Sequence, residues 1–316
     1  MKLALIGYGN VARALVPMLP RQSFSITGVH TLRHGTAIHP EGMGLTPKFG
    51  PPASSIEAFL DAAGADAAVE LTTLNPADGE PAISHVRAAL AKGMHVVTAN
   101  KGPIAHAYAT LREEATRARA MFCFESAVMD GAPVFNLWEH CLPGLKVHGF
   151  TGVLNSTSKV VIQRMEAGES FEEGLAEARR MGITEGDGAF DVEGWDSAAK
   201  TAAIANVLMD AGTSPQAVST RGIARLTPAR IQEIAKQGKT VRLVSRGRRT
   251  SGGVSLRVRA EVLERSDLLA CTPGTSNLLL FHTDLMGTFG TVSIDPGVEQ
   301  TAYGVFSDLT RIAKTR

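Results

Sequence analysis

The chain has 316 residues, of which 44% are hydrophobic and 20% charged, and 32 Lys and Arg residues nearly balance 31 Asp and Glu residues. A net charge of +1 creates no field that would attract nucleic acid or an acidic membrane surface. The longest apolar runs fall far short of the roughly 20 residues that a membrane-spanning helix needs. Cys123, Cys141 and Cys271 lack CxxC spacing and form an odd set, which indicates buried thiols in a reducing compartment. We therefore expect a soluble cytoplasmic protein that binds neither nucleic acid nor membranes.

Short apolar runs alternate with helical stretches over the first 125 residues. Strands are predicted at residues 2–7, 24–30, 67–71, 94–98 and 121–124, and helices at 10–19, 81–92 and 105–118. A further helix is expected to begin at a capping box formed by Ser54 and Glu57. Residues 31–52, rich in Gly, Pro and His, are expected to form a loop. Such alternation predicts a parallel sheet with right-handed crossovers.

The first predicted strand runs directly into a Gly-x-Gly-x-x-Ala turn. Gly7 permits a tight turn, Gly9 lets the backbone approach a pyrophosphate, and the small Ala12 lets the helix pack closely on the strand. The helix that begins at Asn10 and Val11 offers N–H groups and a partial positive charge to phosphates. The sequence therefore predicts a dinucleotide site here, the alternative being that the glycines serve only the turn.

The end of the second predicted strand bears on the choice of cofactor. An enzyme strictly specific for NAD would carry a carboxylate there for the ribose 2′-hydroxyl, but residues 30–34 contain none. The guanidinium of Arg33 matches the geometry of a 2′-phosphate. The sequence therefore favours NADP, with NAD possible and an ordinary solvated arginine as the alternative.

The pattern changes after residue 125. Strands are predicted at 150–154, 241–244 and 254–262, and helices at 158–167, 171–181, 196–209 and 301–315. The basic stretch from Arg242 to Arg249 is expected to be a solvated hairpin. We predict an α/β fold, with a dinucleotide-binding Rossmann-type domain at 1–130 and a substrate-binding α+β domain at 131–300. The C-terminal helix, 301–316, is expected to return to the first domain.

Several spaced motifs resemble those of the homoserine dehydrogenase family and occur in the same order. They are Glu-Leu-Thr-Thr at 70–73, Gly-Glu-Pro-Ala at 79–82, Gly-Met-His-Val-Val-Thr-Ala-Asn-Lys-Gly-Pro at 93–103, Gly-Val-Leu-Asn-Ser-Thr at 152–157, and a D-x-x-G-x-D-x-x-x-K run at 191–200. The resemblance extends from Leu3 to Leu309. It indicates the short, monofunctional form, without an aspartokinase or a C-terminal regulatory domain.

The resemblance implies an activity. The family interconverts L-homoserine and L-aspartate 4-semialdehyde with NAD(P), in threonine and methionine biosynthesis, and its members are usually homodimers that associate through the second domain. By position, Lys200 would exchange a proton with the substrate oxygen, and Asp196 would orient Lys200 or the substrate. Glu185 and Asp191 would hold the substrate ammonium, and Thr157 would contact the substrate.

The resemblance also places cofactor and cation sites. The residues expected near the nicotinamide cofactor, besides the glycine turn, are Thr72, Lys101, Gly182, Glu185 and Gly297. Relatives bind a monovalent cation, mainly through main-chain carbonyls, at positions that correspond here to Glu125, Val128, Asp130 and Ala132.

Elementary chemistry supports Asp196 and Lys200 independently of the resemblance. Hydride transfer to an aldehyde requires charge stabilisation and a proton for the developing alkoxide. The two residues are four apart, hence on one helical face, and burial near a second ammonium such as that of Lys101 would lower the pKa of Lys200. The alternatives are an exposed ion pair and, for the carboxylates of residues 185–193, a solvated acidic loop.

Three departures from the family pattern leave the substrate open. Ser156 stands where the family often has glycine, within Asn-Ser-Thr-Ser-Lys at 155–159 in place of N-G-T-[TS]-N. If that position requires a positive φ, the serine is expected to reshape the loop. Gly186–Gly188 lacks a usual proline, and Asp295 replaces a glycine that approaches the cofactor. Two alternatives therefore stand beside homoserine oxidation. One is a related dehydrogenase for another small hydroxy- or amino-acid, and the other is a catalytically silent cofactor-binding homologue.

Overall fold

The computed structural model describes residues 1–44, 46–184, 186, 188–272 and 274–315. The chain divides into two compact units, one formed by residues 1–135 together with 297–316 and the other by residues 136–296. The first unit is a mostly parallel sheet covered by helices, and the second combines helices with a mostly antiparallel sheet. The predicted fold class is confirmed.

The first unit contains a six-stranded sheet in the order β3-β2-β1-β4-β5-β6. Its strands are β1 (Lys2–Ile6), β2 (Ser25–Thr31), β3 (Gly35–Met43), β4 (Ala67–Glu70), β5 (His95–Thr98) and β6 (Phe122–Cys123). Its helices are α1 (Asn10–Leu15), α2 (Ile56–Ala63), α3 (Ala82–Ala91), α4 (Lys101–Ala118), α5 (Ser126–Met129) and the C-terminal α12 (Val298–Lys314), and α6 (Phe135–Cys141) begins at its last residue. All pairings are parallel except that of β2 with β3.

Burial on both faces explains why β1 is apolar at every position but its first. Leu3 and Leu5 pack into one core with the apolar face of α12, which contributes Val305 and Leu309. The alternate residues, including Ala4, pack into a second core with α2, α3 and α4. A parallel strand covered on both faces reads as a continuous apolar run.

Three details of this unit differ from expectation. The predicted loop at 31–52 contains strand β3, whose pairing with β2 supplies backbone hydrogen bonds that local composition does not reveal. The N-cap of α2 is Ser55, whose side chain accepts a hydrogen bond from the Ala58 N–H, rather than Ser54. The helix predicted at 10–19 is cut short: α1 ends at Leu15 and the chain continues as a 3₁₀ helix from Val16 through Gln22, because Pro17 has no N–H to continue the α-helical hydrogen bonds.

The second unit contains a six-stranded sheet in the order β12-β11-β7-β9-β10-β8. Its strands are β7 (Val147–Val153), β8 (Ser219–Arg221), β9 (Lys239–Thr250), β10 (Gly253–Glu264), β11 (Asn277–Thr283) and β12 (Thr288–Ser293). Its helices are α7 (Ser156–Glu166), α8 (Phe171–Arg180), α9 (Ala189–Glu193), α10 (Trp195–Met209) and α11 (Pro228–Lys236). Helix α10 is buried along nearly its whole length, so its side chains lie within the unit.

Two predictions about this unit and the thiols are only partly right. The basic stretch lies in β9, which forms an antiparallel hairpin with β10, and Arg248 and Arg249 are exposed, but Arg242 is only 4% exposed, so the stretch is not solvated throughout. Of the three cysteines only Cys123 is buried, whereas Cys141 and Cys271 are exposed. Within the described ranges, no helix is both long enough and apolar enough to cross a membrane.

Candidate active site

The glycine turn has the geometry that a bound pyrophosphate requires. Gly7 adopts φ +99°, and a Cβ added there would lie 2.7 Å from the Leu71 carbonyl oxygen, so only glycine fits. An added Cβ on Gly9 meets nothing within 4 Å, which leaves open space in front of the turn. Gly9, which has no side chain, is the N-cap of α1, so no side chain caps the N–H groups at Asn10 and Val11. Backbone donors beside open space fit a dinucleotide phosphate.

The ends of β4 and β5 bring Thr72 and Lys101 to the same edge of the sheet. Glu70 is completely buried, and its carboxylate accepts hydrogen bonds from the Thr72 N–H at 2.9 Å, from the Thr72 hydroxyl, and from the Thr98 hydroxyl at 2.8 Å. The Asn100 amide donates to the Thr72 carbonyl oxygen at 3.1 Å, and its oxygen caps α4 by accepting from the Gly102 N–H. Lys101, the first residue of α4, is 7% exposed. The predicted nicotinamide-side residues therefore stand on a rigid, hydrogen-bonded edge.

Arg33 lies in the exposed turn that joins β2 to β3. The last residues of β2 hold the glycine turn, since the Gly7 N–H donates to the His30 carbonyl oxygen at 2.8 Å. Burial, and then the nearby His85, lower the pKa of His30, so its ring is neutral near neutral pH. Arg33, two residues after the end of β2, is therefore the cationic side chain nearest to that strand end along the turn.

The Asp196–Lys200 pair in α10 is not a surface ion pair. The Lys200 ammonium lies 3.0 Å from Asp196 Oδ2, and the two side chains are 15% and 2% exposed. The ammonium also donates to the Leu154 carbonyl oxygen at 2.8 Å, directly after β7. These two partners hold the amine in one position, where it is partly exposed to solvent.

Asn155, which sequence reasoning did not select, connects the two buried carboxylates. Its amide nitrogen donates to Asp191 Oδ1 at 2.6 Å and to Asp196 Oδ2 at 3.0 Å, and all three residues are at most 2% exposed. Its amide oxygen caps α7 by accepting from the Ser158 N–H at 2.7 Å. The structure thereby brings Asp191, Asp196 and Lys200 together at the end of β7. In the sequence, Asn155 is marked by its place in the Gly-Val-Leu-Asn-Ser-Thr motif, which does not reveal its two carboxylate partners.

Of the remaining predicted substrate residues, Thr157 lies in the first turn of α7. Thr157 is fully buried, and its hydroxyl donates to the Ile183 carbonyl oxygen at 3.0 Å. Gly182 has φ +70° and follows α8. Glu185 and Asp187 lie outside the described residues, and Glu193 is exposed.

Comparison with known proteins decides the family. Residues 7–125 match the family description "Homoserine dehydrogenase, NAD binding domain", and residues 133–310 match "Homoserine dehydrogenase". The chain is 34% identical to the NAD(+)-dependent homoserine dehydrogenase of Pseudomonas canavaninivorans, over 98% of this chain and 96% of that protein. The chain belongs to the homoserine dehydrogenase family.

Further relatives agree with this assignment. The homoserine dehydrogenase of Methanocaldococcus jannaschii is 31% identical over 99% of this chain and 98% of that protein. The crystal structure of a homoserine dehydrogenase from Thiobacillus denitrificans superposes with a TM-score of 0.84 at 26% identity, covering 99% of this chain and 73% of that chain. As a member of the family, the chain is an NAD(P)-dependent oxidoreductase.

The departures from the family pattern have structural explanations. Ser156 begins α7 and is not among the residues with positive φ, so serine fits the backbone at this position without strain. Gly188 has φ +83°, which proline cannot adopt, so this loop follows a different path from one with proline at that position. Asp295 Oδ1 accepts from the Thr275 N–H at 3.2 Å, within its own unit. Gly297 is the N-cap of α12 in an extended conformation.

The four positions that correspond to the family's cation loop lie in α5 and on either side of it. The Glu125 carboxylate accepts hydrogen bonds from the Val134 N–H at 2.5 Å and from the Phe135 N–H at 3.0 Å. Val128 is buried, Asp130 has φ +57°, and the Ala132 N–H donates to the Met129 carbonyl oxygen. Among the described residues no group of three or more His, Cys, Asp or Glu side chains forms a metal site, so a cation here would rely on main-chain oxygens.

Proposed function

We propose that this protein interconverts L-homoserine and L-aspartate 4-semialdehyde by hydride transfer to or from a nicotinamide cofactor, in threonine and methionine biosynthesis. The observation that carries the proposal is the partly buried Lys200 ammonium, fixed between the buried Asp196 Oδ2 and the Leu154 carbonyl oxygen, with the second buried carboxylate of Asp191 joined to Asp196 through Asn155. Lys200 would act on the substrate hydroxyl and the carboxylates would bind its ammonium, so the site suits an amino acid that carries a hydroxyl group.

The cofactor would be held by the first unit, since the glycine turn offers open space and backbone donors. Gly7, Gly9, Asn10 and Val11 would hold the pyrophosphate, and Thr72 and Lys101 would lie beside the nicotinamide. Gly182, Glu185 and Gly297 are proposed as further cofactor contacts. The bound nicotinamide supplies the hydride acceptor for oxidation or the hydride donor for reduction.

Lys200 would move the proton. In the direction of oxidation, Lys200 in its amine form would accept the hydroxyl proton of the substrate. The hydrogen on the carbinol carbon would leave with its bonding electrons as hydride to the oxidised cofactor, and a carbonyl would form. In reduction, the protonated amine donates to the developing alkoxide. The partly buried position makes Asp196 an effective orienting partner, because charges interact more strongly where water is excluded.

Substrate recognition would depend on Asp191 and Glu185, with Thr157 as a further contact. Asp191 is 1% exposed and already accepts one amide hydrogen bond, and a substrate ammonium would add a charge-assisted hydrogen bond. A carboxylate in such a position selects an amino acid over a simple alcohol.

For the cofactor we propose a preference for NADP over NAD. The exposed Arg33 follows a strand end without a carboxylate, which suits a 2′-phosphate. The Pseudomonas canavaninivorans relative is described as NAD(+)-dependent, so NAD is the alternative. Initial rates with NAD⁺ and with NADP⁺ distinguish the two.

Three further features are proposed from family membership. The protein would act as a homodimer in the cytoplasm. Light scattering of the purified protein tests whether it is a dimer. It would bind a monovalent cation through main-chain carbonyls near Glu125, Val128, Asp130 and Ala132. Rates measured in potassium, sodium and tetramethylammonium salts test the cation, because the last ion is too large for such a loop.

The experiment that tests the main proposal is an initial-rate assay. Purified protein with L-homoserine and NADP⁺ should generate reduced-nicotinamide absorbance, and a panel of other hydroxy- and amino-acids should react more slowly. A faster reaction with another panel member would assign that substrate instead. Cofactor binding without turnover of any member would indicate a catalytically silent homologue.

A further inference from the structure

The first turn of α7, together with its N-cap, contacts three separate segments of the second unit through four of its residues. Asn155 holds Asp191 and Asp196, and the Thr157 hydroxyl donates to the Ile183 carbonyl oxygen. The two remaining contacts go to a third segment, residues 274–276. These two contacts are the Ser156 hydroxyl to the Thr275 carbonyl oxygen at 2.7 Å and the Lys159 ammonium to the Ser276 carbonyl oxygen.

Lys159 is an unusual residue for this position. It is 1% exposed, and burial together with the nearby Arg242 lowers its pKa to about 8, whereas Asp295 opposes the shift. A cation in the first turn of a helix also faces the positive end of the helix dipole. Burial and the dipole both disfavour the charge, so an apolar side chain of similar length would cost the fold less.

What the charged side chain provides is a hydrogen bond that an apolar residue cannot make. Its ammonium reaches the Ser276 carbonyl oxygen, and Asp295 binds the same segment by accepting from the Thr275 N–H. The Asp295 N–H in turn donates to the Ser276 hydroxyl at 3.0 Å. Residues 274–276 are thereby fixed, and they fix the helix turn that carries Asn155.

We propose that Lys159 is a positioning residue for the reaction: its hydrogen bond to Ser276 holds the first turn of α7 and, through Asn155, the carboxylates of Asp191 and Asp196. This inference rests on the function proposed above. Lys159 acts through Asn155, so its loss should alter substrate binding while the cofactor, held by the first unit, binds as before.

The test compares Lys159→Met with Lys236→Met, a matched change at an exposed lysine that ends α11. For Lys159→Met we expect KM for homoserine to rise about tenfold, the equivalent of about 1.4 kcal/mol, with the dissociation constant of NADP⁺ unchanged. Amide hydrogen exchange over residues 156–159 should accelerate, and that of α8 should not. Lys236→Met should match the wild type in all three measurements.

A second variant, Ser156→Ala, tests the same contact if Lys159→Met does not fold. Ser156→Ala removes the hydrogen bond to Thr275 without opening a buried cavity, and it should shift KM and hydrogen exchange in the same direction by a smaller factor. Unchanged KM and unchanged exchange at residues 156–159 in these variants would overturn the inference. If the wild type oxidises no homoserine, the proposed function fails, and the exchange data still decide whether Lys159 holds the turn.

Discussion

Asn155 and Lys200 share one carboxylate oxygen. The Asn155 amide nitrogen and the Lys200 ammonium each lie 3.0 Å from Asp196 Oδ2, and the same amide nitrogen lies 2.6 Å from Asp191 Oδ1. Two buried carboxylates repel each other unless donors lie between them, and the single amide supplies both hydrogen bonds. The position of the proposed acid–base lysine is therefore coupled to a residue with no ionisable group.

Replacing Asn155 by Leu should be severe for catalysis. The change leaves two buried carboxylates without a shared donor and removes the N-cap of α7, so we expect kcat/KM for homoserine to fall at least about 100-fold, or about 3 kcal/mol. Initial rates and urea unfolding measure the two effects. The control is Gln237→Leu at the exposed end of α11, and a fall of less than threefold for Asn155→Leu would show that the amide is dispensable.

Cofactor choice should depend on Arg33. Replacement by Gln removes the guanidinium from an exposed turn, so the fold should be unaffected, while kcat/KM for NADP⁺ should decrease about tenfold and that for NAD⁺ should change little. The measured quantity is the ratio of the two values in wild type and variant. An unchanged ratio would mean that Arg33 is solvated and that specificity lies elsewhere. Arg21, on the same unit, provides the matched control as Arg21→Gln.

The buried Glu70 should support the nicotinamide side through Thr72. Its carboxylate accepts hydrogen bonds from Thr72 and Thr98, and Glu70→Gln would turn one acceptor into an NH₂ group that faces donors. We expect a loss of about 1–3 kcal/mol in unfolding free energy and a higher KM for the cofactor. Glu57→Gln, on the surface of α2, is the control. Equal stabilities of Glu70→Gln and the wild type would contradict the role of this network.

Lys159 predicts a specific pH dependence of stability. Burial and then the nearby Arg242 lower its pKa to about 8 in the folded chain, against Asp295, which raises it, and against 10.5 for an unperturbed lysine. Between these values the unfolded chain binds more protons, so the free energy of unfolding of the wild type should rise with pH relative to that of Lys159→Met. From about pH 7 to about pH 9.5 the relative gain should be about 2 kcal/mol. Parallel pH profiles of the two proteins in urea titrations would show that the lysine titrates normally.

Patterns within a short stretch of sequence predict those elements whose structure depends on that stretch alone. The glycine turn follows an apolar strand, and α10 carries Asp196 and Lys200 at helical spacing, so both are evident in the amino-acid sequence. Strand β3 is not, because a Gly-, Pro- and His-rich segment lacks alternation, and only its partner β2 makes it a strand. The roles of Asn155 and Lys159 are hidden for the same kind of reason, since their partners lie 36 to 117 residues away.

The most direct test of the account is cofactor reduction by Lys200→Met. Methionine keeps the length and apolar stem of the side chain but cannot carry a proton. We expect homoserine-dependent reduction of NADP⁺ to fall by about 100-fold or more, while the dissociation constant of NADP⁺ stays within about twofold of the wild type. Turnover by Lys200→Met at a rate close to that of the wild type would contradict the assignment of Lys200 as the group that moves the proton.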